Sequence, residues 1–304
     1  MRKTLLYLSE QKKAGQLIMG MPPTRTMALR FVAGEGIKEA VETARQLNAI
    51  KASASIDHLG ENVNTVDEAG HAAQDYLDAL DAIGAADVNC NVSLKLTQMG
   101  LDLGEEVCAK NLRAILDKAK SLKDNFVRID MEGSAYTQKT LDFHRKLWDE
   151  GYHNVGVVLQ AYLYRTEQDV RDVNEKGIRV RLCKGAYAEP ATVAFARKAD
   201  TDANYLKLAQ ELLQNGTYPG LATHDEALIA ATCQFVADKK IDRSRFEFQM
   251  LYGIRRDLQE RLLSQGYNLR VYVPYGNQWY PYFMRRLAER PANLMFFLSS
   301  LVHK

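Results

Sequence analysis

The sequence predicts an α/β protein built as a (β/α)8 TIM-type barrel with extra N-terminal helices. Eight short β-rich runs recur along the 304 residues, and a stretch of helical periodicity separates each from the next. Such alternation builds parallel βα units, and eight of them close into a barrel. Hydrophobic residues make up 46% of the chain and charged residues 26%, so a large core can form without disulfide or metal staples.

Residues 1–50 precede the barrel as an N-terminal helical segment. They hold a helix-like stretch, a turn at Pro22 and Pro23, the run RFVAGEG and a helix near 36–48. Gly34 and Gly36 are not a dinucleotide fingerprint, because no strand precedes them and the third glycine is missing. Residues 51–304 form the barrel and its C-terminal helices. Strands are expected near 51–57 (KASASID), 91–97 (NVSLKLT), 126–130 (FVRID), 155–160 (VGVVLQ), 178–183 (IRVRLC), 220–223 (GLAT), 246–250 (FEFQM) and 270–273 (RVYV).

The segments between them carry apolar stripes at helical spacing. Residues 67–83 align Ala72, Tyr76, Leu80 and Ile83, with Asp67 as N-cap. Residues 105–120 align Val107, Leu112, Ile115, Leu116 and Ala119, and 202–215 align Tyr205, Leu208, Leu212 and Leu213. These are packing faces. A last helix over 282–290 is followed by Pro291, which starts a further helix whose LMFFLSSL run packs on the barrel.

The formal net charge of +2 creates no demand for nucleic acid or an anionic surface. Cys90, Cys108, Cys183 and Cys233 show neither zinc nor C-x-x-C spacing, which reads as reduced, mostly buried thiols. The apolar run in MRKTLLYLSEQKK is too short for a secretion signal, and no stretch approaches the roughly 18 apolar residues of a membrane span. A cytoplasmic protein is expected, with peripheral contact to a membrane surface left open.

In such barrels chemistry sits at the C-terminal ends of the strands. The first run ends at Asp57 and His58, the second passes through Lys95, the third ends at Asp130 and the fourth at Gln160. The fifth carries Arg181 into Lys184, Gly185, Ala186 and Tyr187. The sixth ends at Thr223, His224 and Asp225, the seventh at Gln249, and the eighth carries Tyr272. Lys95, Arg181 and Lys184, joined by Arg285 and Arg286, outweigh Asp57 and Asp130, so the site favours a phosphate or carboxylate. No metal is expected: H-x-H, H-E-x-x-H and paired aspartate ligands are absent, and His58 and His224 read as hydrogen-bonding residues. Tyr282, Arg285, Arg286 and Glu289 share one face of the last helix, where two guanidiniums could clamp a carboxylate. From spacing alone, a solvated charged helix with an Arg285–Glu289 pair is the plainer reading.

The helix YFMRRLAER resembles the Tyr-x-x-Arg-Arg-x-x-Glu signature of the proline dehydrogenase family. The segments VSLKLTQMG, VRIDMEGS, LQAYLYRT, VRLCKGAYAEP, LATHD, FEFQMLYG and RVYVPYG resemble family segments in the family's order, and RFVAGEG also fits. The likeness runs from about residue 30 to the end. It is to the monofunctional bacterial type, because the aldehyde dehydrogenase module of the fused relatives does not follow the arginine helix. Cys183 stands where an aliphatic residue is common, and it is small and apolar enough to fit.

The resemblance implies a barrel that holds FAD noncovalently at the strand ends. It implies oxidation of L-proline to Δ1-pyrroline-5-carboxylate, with hydride passing from proline C5 to flavin N5 and electrons going on to a quinone. A separate pyrroline-5-carboxylate dehydrogenase would take the product. Carried over residue by residue, Arg285 and Arg286 bind the carboxylate with Lys95, and Asp130 holds Lys95 and orders the site. Tyr272, Tyr282, Ala186, Tyr187 and Leu251 shape the pocket. Arg181 lies by the flavin N5 edge and Gln160 by its pyrimidine side; Met131, Lys184, Gly185, Ala186, Thr223 and His224 hold the rest of FAD. Glu289 goes to the site or to an ion pair with an arginine. Read from the residues alone, the chain is a barrel enzyme for an anionic substrate. Two other classes then stay open: a Schiff-base lyase or aldolase with Lys95 or Lys184 as nucleophile, and a non-catalytic barrel binding flavin or an anionic metabolite.

Overall fold

Parallel strands hydrogen-bond to one another in chain order and close on themselves: β1 (Ser53–His58), β2 (Cys90–Leu94), β3 (Val127–Ile129), β4 (Val155–Gln160), β5 (Val180–Cys183), β6 (Gly220–Ala222), β7 (Glu247–Leu251) and β8 (Leu269–Tyr275). The closing seam pairs β1 with β8 from Ser53↔Arg270 to His58↔Tyr275. This is a TIM-type (β/α)8 fold, seen in a computed structural model that describes residues 28–60 and 63–289. The turn at Pro22 and Pro23 and the run after Pro291 lie outside the described residues.

Side chains alternate between the two faces of each strand. Ala54 and Ile56, Val92 and Leu94, Val127 and Ile129, Val157 and Leu159, Val180 and Leu182, and Phe248 and Met250 belong to the main apolar core, together with the inner faces of the helices. Burying each of the larger ones stabilises the fold by about 1.5–3 kcal/mol. The alternate residues are polar: Ser55, Asp57, Ser93, Arg128, Arg181, Glu247, Gln249 and Arg270 are all buried. They point into the barrel, because Arg181 on β5 reaches Ser93 on β2, and these strands are not neighbours. Small residues make room for them. A Cβ on Gly156 would lie 2.8 Å from Arg128 Nη1 and 2.2 Å from the Arg179 carbonyl oxygen. Arg128 uses that space to donate to the carbonyls of Val157 (2.9 Å) and Arg179 (2.6 Å).

The helices are α1 (Ile37–Ala49), α2 (Val66–Ala86), α3 (Glu105–Ala119), α4 (Ser134–Asp149), α5 (Thr166–Glu175), α6 (Lys198–Asn215), α7 (Glu226–Asp238), α8 (Arg256–Ser264) and α9 (Tyr280–Glu289). The N-cap of α2 is Thr65, whose hydroxyl accepts from Glu68 N at 3.1 Å; Asp67, expected there, lies inside the first turn. The second strand stops at Leu94, earlier than its β-rich run suggested. Its continuation folds into turns, with Met99 N donating to the Lys95 carbonyl and Gly100 N to the Thr97 carbonyl, and with Gly100 at φ +95°.

α1 buries Ala40, Val41, Ala44 and Leu47 against β1 and β8, so it covers the closing seam from outside. The helix that follows β8 goes elsewhere. A second apolar cluster gathers Trp279, Phe283, Met284 and Leu287 of the α9 region with Phe31, Val32, Leu59 and Ile254. Leu59 follows β1 and Ile254 follows β7, so α9 lies across the C-terminal mouth of the barrel.

Candidate active site

The mouth is assembled in tiers from the inward-facing side chains. Asp57 at the end of β1 is 1% exposed, and both its oxygens face Lys95 Nζ, at 3.3 and 3.5 Å. Tyr76 of α2 donates to the same carboxylate at 3.3 Å and to the Ser93 carbonyl at 3.0 Å. Burial pushes the Asp57 carboxyl above its ordinary range; the charge of Lys95 opposes that push and the nearby charge of Asp130 adds to it.

Asp130, one residue past β3, receives three donors. Arg181 Nη1 lies 2.6 Å and Ser93 Oγ 2.7 Å from one oxygen, and the Tyr272 hydroxyl lies 2.7 Å from the other. The expected grip of Asp130 on Lys95 therefore needs correcting: Asp57 is a carboxylate that pairs with Lys95, while Asp130 is bound by Arg181. β2 is flanked by both β1 and β3, and the partners decide: both Asp130 oxygens are taken by Arg181, Ser93 and Tyr272, whereas Asp57 faces Lys95 Nζ. The Arg181 guanidinium carbon also stands 5.2 Å from the Tyr272 ring centroid, and Arg181 Nε donates to Gln249 Oε1. Burial first, and the Asp130 carboxylate second, push the Tyr272 phenol well above its ordinary value, so it stays a donor.

Gln160 ends β4 with its amide donating to the Glu132 carbonyl at 2.9 Å, while Met131 beside it is buried. On the far side, Lys184 Nζ sits between Asp202 Oδ1 (2.5 Å) and Asp225 Oδ2 (2.9 Å). Asp225 also caps α7 by accepting from Ala227 N. Against the upward push of burial, hydrogen bonds from Lys184 and Lys198 hold the Asp225 carboxyl well below the usual carboxylate range. Neither lysine suggested as a carbonyl nucleophile thus stands clear of a carboxylate. Thr223 is buried and its hydroxyl accepts from Asp225 N; His224 Nε2 accepts from Leu251 N at 2.8 Å, which leaves the ring proton on Nδ1. Gly185 has φ +115°, and a Cβ there would lie 2.3 Å from the Tyr162 ring. Ala186 and Tyr187 follow on the rim, Tyr187 at 36% exposure.

Across the mouth, α9 turns Tyr282 and Arg286 inward: they are 5% and 8% exposed, and the Arg286 guanidinium carbon lies 5.0 Å from the Tyr282 ring centroid. Arg285 is half-buried, and Leu251 packs against the same apolar cluster. The plainer expectation of a solvated charged helix is thereby overturned; Trp279, Phe283 and Leu287 anchor α9 and carry its arginines under cover. The Glu289 side chain lies outside the described residues. Sequence reasoning gave no role to Asp57 or Gln249, although both stood at strand ends, and it passed over Ser93, Glu247 and Arg270, which look like ordinary strand residues.

Comparison with known proteins agrees with this architecture. The proline dehydrogenase family model matches residues 40–298. Proline dehydrogenase 1 of Bacillus subtilis (strain 168) is 45% identical over 304 residues, covering 100% of both chains. Proline dehydrogenase of Deinococcus radiodurans is 40% identical, covering 99% of this chain and 97% of its own. Among solved structures, proline utilization A (PutA) from Bdellovibrio bacteriovorus, inactivated by N-propargylglycine, superposes with a TM-score of 0.80 at 28% identity. The match covers 88% of this chain and 33% of that longer one.

Proposed function

The chain belongs to the proline dehydrogenase family, and from that membership we propose that it oxidises L-proline to Δ1-pyrroline-5-carboxylate with FAD as its flavin. The observation that carries the reading is the burial of the Tyr282–Arg286 face across a mouth that already holds Lys95. Proline is a zwitterion, and its carboxylate needs fixed cations in a place from which water is largely excluded. Arg285, Arg286 and Lys95 bind that carboxylate, and Asp57 holds Lys95 in place. Tyr272, Tyr282, Ala186, Tyr187 and Leu251 enclose the ring and fix which carbon is presented, so the rate depends on orientation.

The residues present fit a flavin. Gly185, required by φ +115° and by the Tyr162 ring packed on it, carries a bare backbone next to the Lys184 cation, a pairing that suits a phosphate-bearing group. Arg181 and Gln160 on adjacent strands supply donors beside it, with Met131, Lys184, Thr223 and His224 around the rim. Two-electron acceptance is the chemistry a flavin supplies when bound. Asp130 and Arg181, locked together, set the charge facing the reaction centre. We assign a quinone as the final electron acceptor and a separate pyrroline-5-carboxylate dehydrogenase as the consumer of the product. A cytoplasmic location with peripheral contact to the membrane suits both partners; among the described residues no helix is long and apolar enough to cross a membrane.

The test is an anaerobic titration of the purified protein with L-proline, D-proline and hydroxyproline in parallel. L-Proline should bleach the flavin band. A protein that cannot be reconstituted with FAD, or a flavin that L-proline leaves oxidised, refutes the reading.

A further inference from the structure

Below the mouth, a line of buried groups runs from Arg181 down the inside of the barrel. Arg181 Nε donates to Gln249 Oε1, and Gln249 Nε2 donates to Glu247 Oε1 at 2.6 Å. Glu247 Oε1 also accepts from Arg270 Nε at 2.8 Å, and Arg270 Nη1 continues to Asp124 Oδ2 (2.8 Å) and the Ala54 carbonyl (2.7 Å). The four side chains from Arg181 to Arg270 are between 2% and 7% exposed.

The chemistry of the ends dictates how the middle is oriented. A guanidinium only donates and a carboxylate only accepts, so the Gln249 amide can bridge them in one sense alone, oxygen to Arg181 and nitrogen to Glu247. A flipped amide would set donor against donor and acceptor against acceptor. The backbone opposite keeps the space clear: a Cβ on Gly220 of β6 would lie 2.3 Å from Gln249 Nε2.

We propose that Gln249 is a positioning residue for the reaction centre, an amide locked between Glu247 and Arg181 that fixes the angle at which Arg181 meets Asp130. The proposal rests on the functional reading above. The Gln249 side chain hydrogen-bonds to Arg181 and Glu247, and only its backbone carbonyl meets the rim, accepting from Thr223 N at 3.2 Å, so loss of the side chain should act on turnover and leave substrate capture largely intact.

Gln249→Glu separates this from a merely structural role. A protonated carboxyl has one donor and one acceptor and reproduces the amide. Once ionised, it faces the Glu247 carboxylate at a separation where two carboxylates cannot both stay charged. The groups around it are Glu247 on its own strand, with Tyr218 and Arg179 acting on that carboxylate, Arg181 and Arg270 from β5 and β8, Arg128 of β3 near Arg181 and Glu247, and Asp130 and Tyr272 above Arg181. Burial and Glu247 raise the introduced carboxyl while Arg181 opposes them; as long as it holds its proton the link to Glu247 persists, and as pH rises through its titration that link, and with it the bridge, is lost.

Flavin-loaded native protein, Gln249→Glu and Gln249→Leu would be assayed for proline oxidation with an artificial acceptor from about pH 5 to 9, with circular dichroism confirming that all are folded at the assay temperature. Gln249→Leu should lose about 10- to 100-fold in kcat at every pH with KM changed less than about threefold. Gln249→Glu should match native turnover at the acid end and fall about tenfold or more at the alkaline end, through an ionisation the native enzyme lacks. On flavin-free protein, the Tm of Gln249→Glu relative to native should fall over the same pH range. Native-like kcat in both variants overturns the proposal. So does a pH-dependent Tm with a flat kcat, which would mean that Gln249 serves the fold alone. Native protein inert towards proline sinks the functional reading and the role of Gln249 with it, while the bridge itself stands or falls on the Tm series.

Discussion

Lys95→Met, Asp57→Asn and their combination form a double-mutant cycle on the ion pair at the top of the barrel. Lys95 Nζ lies 3.3 Å from the nearer Asp57 oxygen, and the two side chains are 9% and 1% exposed. At an effective dielectric of about 20 the Coulomb attraction at that distance is about 5 kcal/mol. Desolvation offsets much of it, as the raised Asp57 carboxyl shows. Lys95→Met leaves a carboxylate buried without its cation and should destabilise by about 3 kcal/mol, or roughly 6 °C in Tm for a chain of this size. Asp57→Asn should cost about 2 kcal/mol, since a cation is left facing an amide. If the pair is real, the double variant is no less stable than Lys95→Met alone, a coupling of about 2 kcal/mol. The sign of the pH effect follows from Asp57. A carboxyl whose folded pKa lies above its unfolded value stabilises the fold fully below the unfolded value, and that contribution is lost as pH rises through the folded one. Without Lys95 the folded value climbs further, so the deficit of Lys95→Met should be large at pH 8 and shrink towards pH 5. Thermal melts of flavin-free protein at both pH values measure this. Single effects that add within about 0.5 kcal/mol at each pH would refute the pairing and the role given to Asp57.

Arg286→Met should lower kcat/KM for proline by about a hundredfold, mostly through KM, while the flavin-to-protein absorbance ratio stays near native; equal loss of both would mean that the helix serves the fold. Gly185→Ala places a Cβ 2.3 Å from the Tyr162 ring at φ +115°, so flavin retention should drop at least tenfold in equilibrium dialysis; unchanged retention would remove Gly185 from the cofactor cradle. Burial pushes the His144 imidazole down to about 4, so its contribution to stability is held above the unfolded value of roughly 6.5 and lost as pH falls through 4. Between pH 7 and 4 the native protein should therefore lose on the order of 3 kcal/mol more than His144→Phe does, read by urea titration at each pH, and parallel losses would contradict it.

The barrel was legible because its strands carry a period of two with apolar residues on the outer face, as in VGVVLQ and FEFQM. Strand ends were legible because polarity begins there, and the expected site residues from Lys95 to Leu251 stand at or just beyond the C-terminal ends of their strands, apart from Arg181, second of four in β5; Tyr272 lies at the middle of β8. Partnerships were not. Whether Asp57 or Asp130 meets Lys95 depends on the stagger between β1, β2 and β3, which closure of the barrel sets and no local signal encodes. Burial of α9 was hidden for a related reason. Its Tyr282, Arg285 and Arg286 spacing is the same on a solvated helix as on a covered one, and the decision comes from Trp279 and Phe283 meeting Leu59 and Ile254, over 190 residues apart in the chain. Glu247 and Arg270 escaped notice because a charged residue inside a strand reads as a solvent-facing position until the sheet closes around it.

That closure explains why so much charge is tolerated inside. TIM barrels usually fill their interior with branched apolar side chains. Here the middle and lower tiers hold Arg128, Arg181, Glu247, Gln249 and Arg270. Replacing a buried ion pair with packed apolar residues is often neutral or stabilising, so these tiers are not explained by stability. Direction is what they provide. Each donor in the line from Arg270 to Arg181 has an acceptor that cannot exchange roles with it, and rotating any one of these buried side chains breaks a polar pairing that the interior must otherwise make good. With an apolar interior Arg181 would be held at its tip alone, by Asp130 and Ser93, with Nε left without its acceptor. The polar interior instead ties its angle to the strands themselves, which are the least deformable part of the molecule.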